Sequence, residues 1–92
     1  MILERLMFAV QPSAKDDWLK FEDEVWLPWL KRQDGFIEKQ IQCSPGICVS
    51  NIWWRNKQCL NRAGSKKQEI QAKDLELRRR FGAKVIRLNA TS

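Results

Sequence analysis

The chain has 92 residues, 43% of them apolar and 30% charged, with a formal net charge of +6 and no histidine. That length makes one domain, 1–92, which buries only about 60–65% of the surface it exposes when unfolded, so association with a second copy would be a natural remedy for marginal stability. Without histidine there is no Ser-His-Asp or Cys-His catalysis and no histidine-ligated haem or metal, and the three cysteines show no CxxC spacing, so neither a metal nor a cofactor is expected.

The opening run MILERLMFAV carries Glu4 and Arg5 among its apolar residues, unlike a signal peptide, and no stretch approaches the ~20 apolar residues of a membrane span. A soluble, cytoplasmic protein without membrane contact is the expectation. Ile2 to Val10 suits a strand, with Leu6, Phe8 and Val10 on one face and Leu3, Arg5, Met7 and Ala9 on the other. Gln11 and Pro12 stop it. Ser13 is the expected N-cap of a helix whose residues Ala14, Trp18, Phe21, Val25 and Trp29 recur at steps of three and four, with Trp26 and Leu30 beside them. Pro28 removes the hydrogen bond to the Glu24 carbonyl, which predicts a kink or an early end in WLPWL.

The Asp34-Gly35 turn leads into two strands, FIEKQIQC and ICVSNIWW, around SPGI. Proline then glycine fits the centre of a type II turn, and a two-residue loop sets Ser44 opposite Ile47 and Cys43 opposite Cys48. A cytosolic setting favours two free thiols there, with a disulfide as the alternative. From this register one face collects Ile37, Ile41, Cys43, Cys48, Ser50, Ile52 and Trp54. The other collects Phe36, Glu38, Gln40, Gln42, Ile47, Val49, Asn51, Trp53 and Arg55.

Asn56 is placed to cap a short helix through Ala63, interrupted at Gly64. Ser65 and Gln68 read as a capping box for a longer helix burying Ile70, Leu77 and Phe81, with Arg78, Arg79 and Arg80 in its last turn and Gly82 as its C-cap. A final strand, AKVIRLN, completes the order βαββαβ. The expected class is α+β, a ferredoxin-like four-stranded antiparallel sheet with helices on one face.

Helices cover one face of such a sheet, leaving Trp53, Val49, Phe36, Leu3, Met7 and Ile47 on the other. That much contiguous apolar area suits docking against a second copy, a dimeric α+β barrel. The expected interface residues are Leu3, Met7, Phe36, Val49, Asn51, Trp53 and Arg55.

The segments MILERLMF, FEDEVWLPWLKRQDGF and IEKQ, then WW before a polar capping residue, resemble the dimeric α+β barrel superfamily typified by antibiotic-biosynthesis monooxygenases. More narrowly they are similar to a small branch of cyanobacterial proteins with this fold. The resemblance covers nearly the whole chain. In that branch a tryptophan ends the third strand, matched by Trp54, and a second follows in the short helix, where this chain has Leu60. The residue before the strand-ending tryptophan is usually polar there, whereas here it is Trp53, which makes the dimer face stickier.

The resemblance implies a pocket between sheet and helices, with candidate lining residues Trp26, Trp29, Ile41, Cys48 and Trp54, although core packing is the favoured role for Trp54 and packing against the second helix for Trp26. Among the superfamily's activities, haem degradation relies on a histidine ligand that this chain lacks. Cofactor-free oxygenation would need polar groups beside aromatic walls, but Asn51 and Arg55 share one face while Trp54 points to the other, so no catalytic residue is assigned. The expected function is therefore a small homodimeric module that binds a small molecule or another protein. Its alternatives are a cofactor-independent monooxygenase acting on a phenolic or enolic molecule, and a weak single-stranded nucleic-acid binder.

Charge bears on the last of these. Residues 1–44 hold six Lys/Arg and eight Asp/Glu, whereas residues 45–92 hold eleven and three. A helix bearing Lys66, Lys67, Lys73, Arg78 and Arg79 suits an acidic protein partner better than a nucleic acid, because the aromatic residues lie elsewhere.

Overall fold

The computed structural model describes residues 1–68, 71–72, 75–76, 79 and 84–91, the last stretch as main chain. Four strands, β1 (Ile2–Ala9), β2 (Phe36–Ser44), β3 (Ile47–Trp54) and β4 (Lys84–Thr91), lie in the order β2-β3-β1-β4, each antiparallel to its neighbours. The helical segments are α1 (Lys15–Phe21), a π-helical turn (Glu22–Trp26), α2 (Leu27–Lys31) and α3 (Lys57–Lys66). The architecture is α+β and ferredoxin-like.

Alternation along β1 works as the sequence suggests: Ile2, Glu4 and Phe8 are buried beneath the helices, with Val10 just beyond, while Leu3, Met7 and Ala9 are half-buried on the opposite face. The helix entrance differs from expectation. Pro12 opens a 3-10 turn, Pro12–Ala14, in which Ala14 N–H donates to the Gln11 carbonyl at 2.9 Å, and Ser13 makes no cap; α1 starts from Ala14 without a side-chain cap. Proline at a first helical position loses only an N–H that would have had no helical partner.

Pro28 does not end the helix. The turn before it widens, so that Leu27 N–H donates to the Glu22 carbonyl five residues back, and α2 then runs on to Lys31. The extra residue in that turn brings Glu22, Trp26 and Leu30 into line at steps of four, beside the expected Trp18, Phe21 and Trp29 stripe. Glu22 is 4% exposed, a carboxylate that helical periodicity alone leaves at the margin of the apolar face.

The β2–β3 hairpin keeps the expected turn. Ser44 pairs with Ile47 and Cys43 with Cys48, and Gly46 takes φ +81°, the value that the second central residue of a type II turn requires. Cys43 and Cys48 are joined as a disulfide, so the expectation of two free thiols is corrected. Near the other end of β2 the register shifts between Phe36 and Glu38, leaving Ile37 as an extra residue. That bulge reverses two assignments. Ile37 becomes 50% exposed, and Phe36 turns to the helix side, edge-on to Trp54 with ring centroids 5.9 Å apart.

Gly35 precedes β2 at φ +80°, its carbonyl accepts from Arg55 N–H at 2.8 Å, and a Cβ on it would run into the Cys59 side chain. Gly46 has the same φ with open space around it. Gly35→Ala should therefore cost clearly more than ~1 kcal/mol, and more than Gly46→Ala, which carries the conformational strain alone. Urea midpoints of the two variants at unchanged slope check this.

Asn56 caps α3 as expected, its Oδ1 accepting from Cys59 N–H at 2.9 Å. The helix does not break at Gly64. Ser65 lies inside it, donating its hydroxyl to the Arg62 carbonyl at 2.7 Å, rather than opening a new helix. Ile70, Leu77, Phe81, Arg78, Arg80 and Gly82 fall outside the described residues.

Two apolar clusters sit beneath the helices. One gathers Ile2, Trp29, Leu30, Ile52, Trp54 and Leu60, and the other Phe8, Val10, Trp18 and Cys48. Leu6 packs against both. Trp54, fully buried, is thus core, while Trp53 is half-buried on the uncovered face.

Candidate functional site

Between the sheet and the π-helical turn with α2 is a cavity of about 70 Å³. Leu6 and Phe8 of β1 and Ile52 of β3 line its sheet side; Glu22, Trp26 and Leu30 line its helix side; Lys39 of β2 and Lys67, just past α3, complete it. The sheet register explains the polar members. Lys39, Ile52 and Glu4 are cross-strand partners in one row over β2, β3 and β1, all on the helix-covered face.

Both cationic side chains hold a buried carboxylate. Lys39 Nζ lies 2.6 Å from Glu22 Oε2, and the two side chains are only 6% and 5% exposed. Lys67 Nζ lies 3.3 Å from Glu4 Oε2, with the lysine at 31% exposure and the glutamate at 6%. The other Glu4 oxygen accepts from the Trp54 indole N–H at 3.2 Å. Burying such charges costs several kcal/mol per ion unless they are paired and hydrogen-bonded, and these pairs meet that condition. The result is an apolar slot with an aromatic wall and two fixed ion pairs. It can accept a small planar or apolar group and present an ammonium to an anion or a carboxylate to an acidic proton. Pockets that enclose drug-sized ligands run to ~300–1,000 Å³, so a larger ligand requires a boundary side chain to move. Lys67 is the more exposed of the two lysines.

Of the expected pocket residues, only Trp26 lines this cavity, its ring edge-on to Trp29 at 5.6 Å. Trp29 and Trp54 are core, Trp54 reaching the site only through Glu4. Ile41 packs on the second cluster, and Cys48 lies within it. Glu4, Glu22, Lys39 and Lys67 were missed by sequence reasoning. The signal available was modest: Glu4 and Lys39 occupy inward positions of strands whose neighbours face the core.

On the uncovered face Leu3 pairs with Trp53, and Met7 with Val49, forming a half-buried apolar stripe. Asn51 lies between them, buried, its side-chain Oδ1 accepting from Arg5 Nε–H at 3.1 Å. Two interface expectations are corrected. Phe36 lies on the helix side because of the bulge, and Arg55, past the end of β3, turns towards Asp34 at 3.2 Å and the Cys59 sulfur at 3.4 Å. Lys67, paired with Glu4, is withdrawn from the expected basic docking helix; Lys73 and Arg78 lie outside the described residues. Among the described residues no helix is long and apolar enough to cross a membrane.

No family model matches the sequence, and no curated protein matches it. Solved structures do match. MupZ from Pseudomonas fluorescens superposes with a TM-score of 0.78 at 9% identity, covering 97% of this chain and 69% of that one. A putative antibiotic biosynthesis monooxygenase from Deinococcus radiodurans gives 0.73 at 8% identity over 100% and 91% of the two chains. SnoaB, a cofactor-independent oxygenase from Streptomyces nogalater, gives 0.71 at 14% identity over 99% and 90%. At these identities the likeness is one of fold alone: the chain has the α+β, ferredoxin-like fold of these antibiotic-biosynthesis-monooxygenase-like structures.

Proposed function

We propose that this protein is a homodimeric small-molecule-binding module whose ligand enters the cavity walled by Trp26. The observation that carries the reading is the convergence of Trp26, Lys39 and Lys67 on one slot, with Glu22 lining it beside Lys39 and Glu4 paired to Lys67. An aromatic wall with a few fixed polar groups is the usual make-up of a ligand site. The ligand class that fits is a small aromatic or enolic molecule with one acidic oxygen. Titrating the protein with a panel of substituted phenols and aromatic carboxylates, followed by tryptophan emission, tests this. Saturable quenching that weakens in Trp26→Leu supports it; no saturable response to any member of the panel rejects it.

Glu22 favours a second reading. A buried carboxylate beside an ammonium can take a proton from a phenol or enol while the ammonium holds the resulting oxyanion. That is the first requirement of cofactor-independent oxygenation, the activity named for the Streptomyces nogalater neighbour. Oxygen uptake on mixing with the phenol panel, lost in Glu22→Gln while binding persists, identifies an oxygenase. Binding without uptake leaves a binding module.

The dimer forms through the uncovered sheet face, with Leu3, Met7, Val49 and Trp53 at its centre. Burying one tryptophan removes about 150–250 Å² from water. Sedimentation of the native protein should give twice 10.9 kDa at micromolar concentration. Trp53→Ala should weaken the dimer at least about thirtyfold, the effect of losing a central tryptophan. A monomeric native protein rejects this part of the reading.

A further inference from the structure

A second cavity, of about 190 Å³, opens beside the β2–β3 turn and shares no lining residue with the first. Val10, Pro12 and Pro45 give it apolar walls, Lys15 brings an ammonium, and both halves of the Cys43–Cys48 disulfide line it. The two sulfurs are unequally placed. Cys43 is exposed on the edge strand β2, whereas Cys48 is 1% exposed among Phe8, Val10 and Trp18.

We propose that Cys43–Cys48 is an exchangeable redox pair and that this cavity admits a small thiol bearing a carboxylate, steered by Lys15 onto the Cys43 sulfur. Three observations converge. Exchange needs a thiolate to reach one sulfur of the bond, and Cys43 is the one open to solvent. The bridge spans a sequence separation of only 5, between strands that the ladder and the Pro45-Gly46 turn already hold in register, so the loop entropy it removes is at the small end. Lys15 is the charged group among the described lining residues, placed to attract an anionic thiol and to offset the charge released at Cys48.

The chemistry balances as ordinary exchange. The incoming thiolate sulfur bonds to Cys43 Sγ, the Cys43–Cys48 bond breaks, and Cys48 leaves as a thiolate that takes a proton from water. A second thiolate then attacks the mixed disulfide, so two small thiols are oxidised to one disulfide while the protein pair is reduced to two thiols. Run backwards, the protein dithiol reduces a small disulfide.

The test uses the whole oxidised protein without denaturant at low ionic strength, with mercaptoacetate, 2-mercaptoethanol and cysteamine as probes. Each rate is divided by that thiol's rate with a neutral small disulfide, and adducts are located by alkylation and peptide mass measurement. The expected result is an adduct on Cys43 and a normalised rate roughly fivefold higher for mercaptoacetate than for cysteamine, the size of one charge–charge interaction across several ångströms of water with its sign reversed. The preference should vanish in Lys15→Ala and, independently, in the native protein at high salt. Circular dichroism should be unchanged on reduction. Exchange only in denaturant, an adduct confined to Cys48, a preference indifferent to salt and Lys15, or unfolding on reduction would each overturn the proposal.

Discussion

Lys39→Ala is expected to lower the unfolding free energy by about 3–5 kcal/mol, and Glu22→Ala by a similar amount, because either change leaves one charge buried without its partner. The pair is 2.6 Å apart with both side chains almost fully enclosed, so the stranded charge loses its counter-ion and has at most the small adjoining cavity from which to be solvated. A domain has a total stability of about 5–15 kcal/mol, so such a loss is a large fraction of it. In a chain of this size it should appear as a fall in Tm of about 4–8 °C per kcal/mol. The double variant Lys39→Met with Glu22→Leu should recover most of the loss, since apolar side chains of similar volume carry no desolvation cost. A double-mutant cycle in urea separates the outcomes. Single variants within about 1 kcal/mol of the native protein would mean that the pair is solvated and that the site is open. The double variant also serves the function: stable but left with Lys67 as the ammonium of the cavity, it should bind an acidic ligand more weakly than the native protein.

Trp54→Ala should cost about 3–5 kcal/mol by emptying a fully buried site in the main core cluster. Trp54→Phe asks a finer question. It keeps an aromatic ring against Phe36 but removes the indole N–H that donates to Glu4, so a carboxylate that is 4% exposed keeps, among the described residues, Lys67 as its side-chain partner. The expected cost of that unmet acceptor is about 1–3 kcal/mol, in addition to the lost ring volume. If Glu4→Gln in the Trp54→Phe background recovers stability, the penalty belonged to the charge; if it does not, it belonged to packing. Because Lys67 lines the cavity, freeing it from Glu4 should also change ligand access, measured as a changed association rate in the fluorescence titration.

Several features of this molecule were legible before any coordinates. Period-two alternation separated Phe8 and Val10 from Leu3 and Met7, and it divided Trp54 from Trp53, since adjacent strand residues must face opposite ways. Turn chemistry set the hairpin: Pro45-Gly46 admits a two-residue loop, and that loop alone dictates that Cys43 meets Cys48. Asn56 announced α3 by its side-chain oxygen. These are local signals, each read within a few residues, where backbone sterics and hydrogen-bonding capacity act without help from the rest of the chain.

The site was decided otherwise. Glu22 meets Lys39 across 17 residues and Glu4 meets Lys67 across 63, so neither pair exists until sheet and helices have packed. The bulge at Ile37 is a property of β2 against β3, not of β2, and it alone moved Phe36 from the open face to the core. The π-helical turn ahead of Pro28 absorbed a residue that predicts a break, and by doing so aligned Glu22, Trp26 and Leu30 on the cavity. Local preference thus determined which residues face inward and where the chain turns. Tertiary packing decided which inward charges are tolerated, because a buried ion is stable only where a partner from a distant segment arrives to meet it.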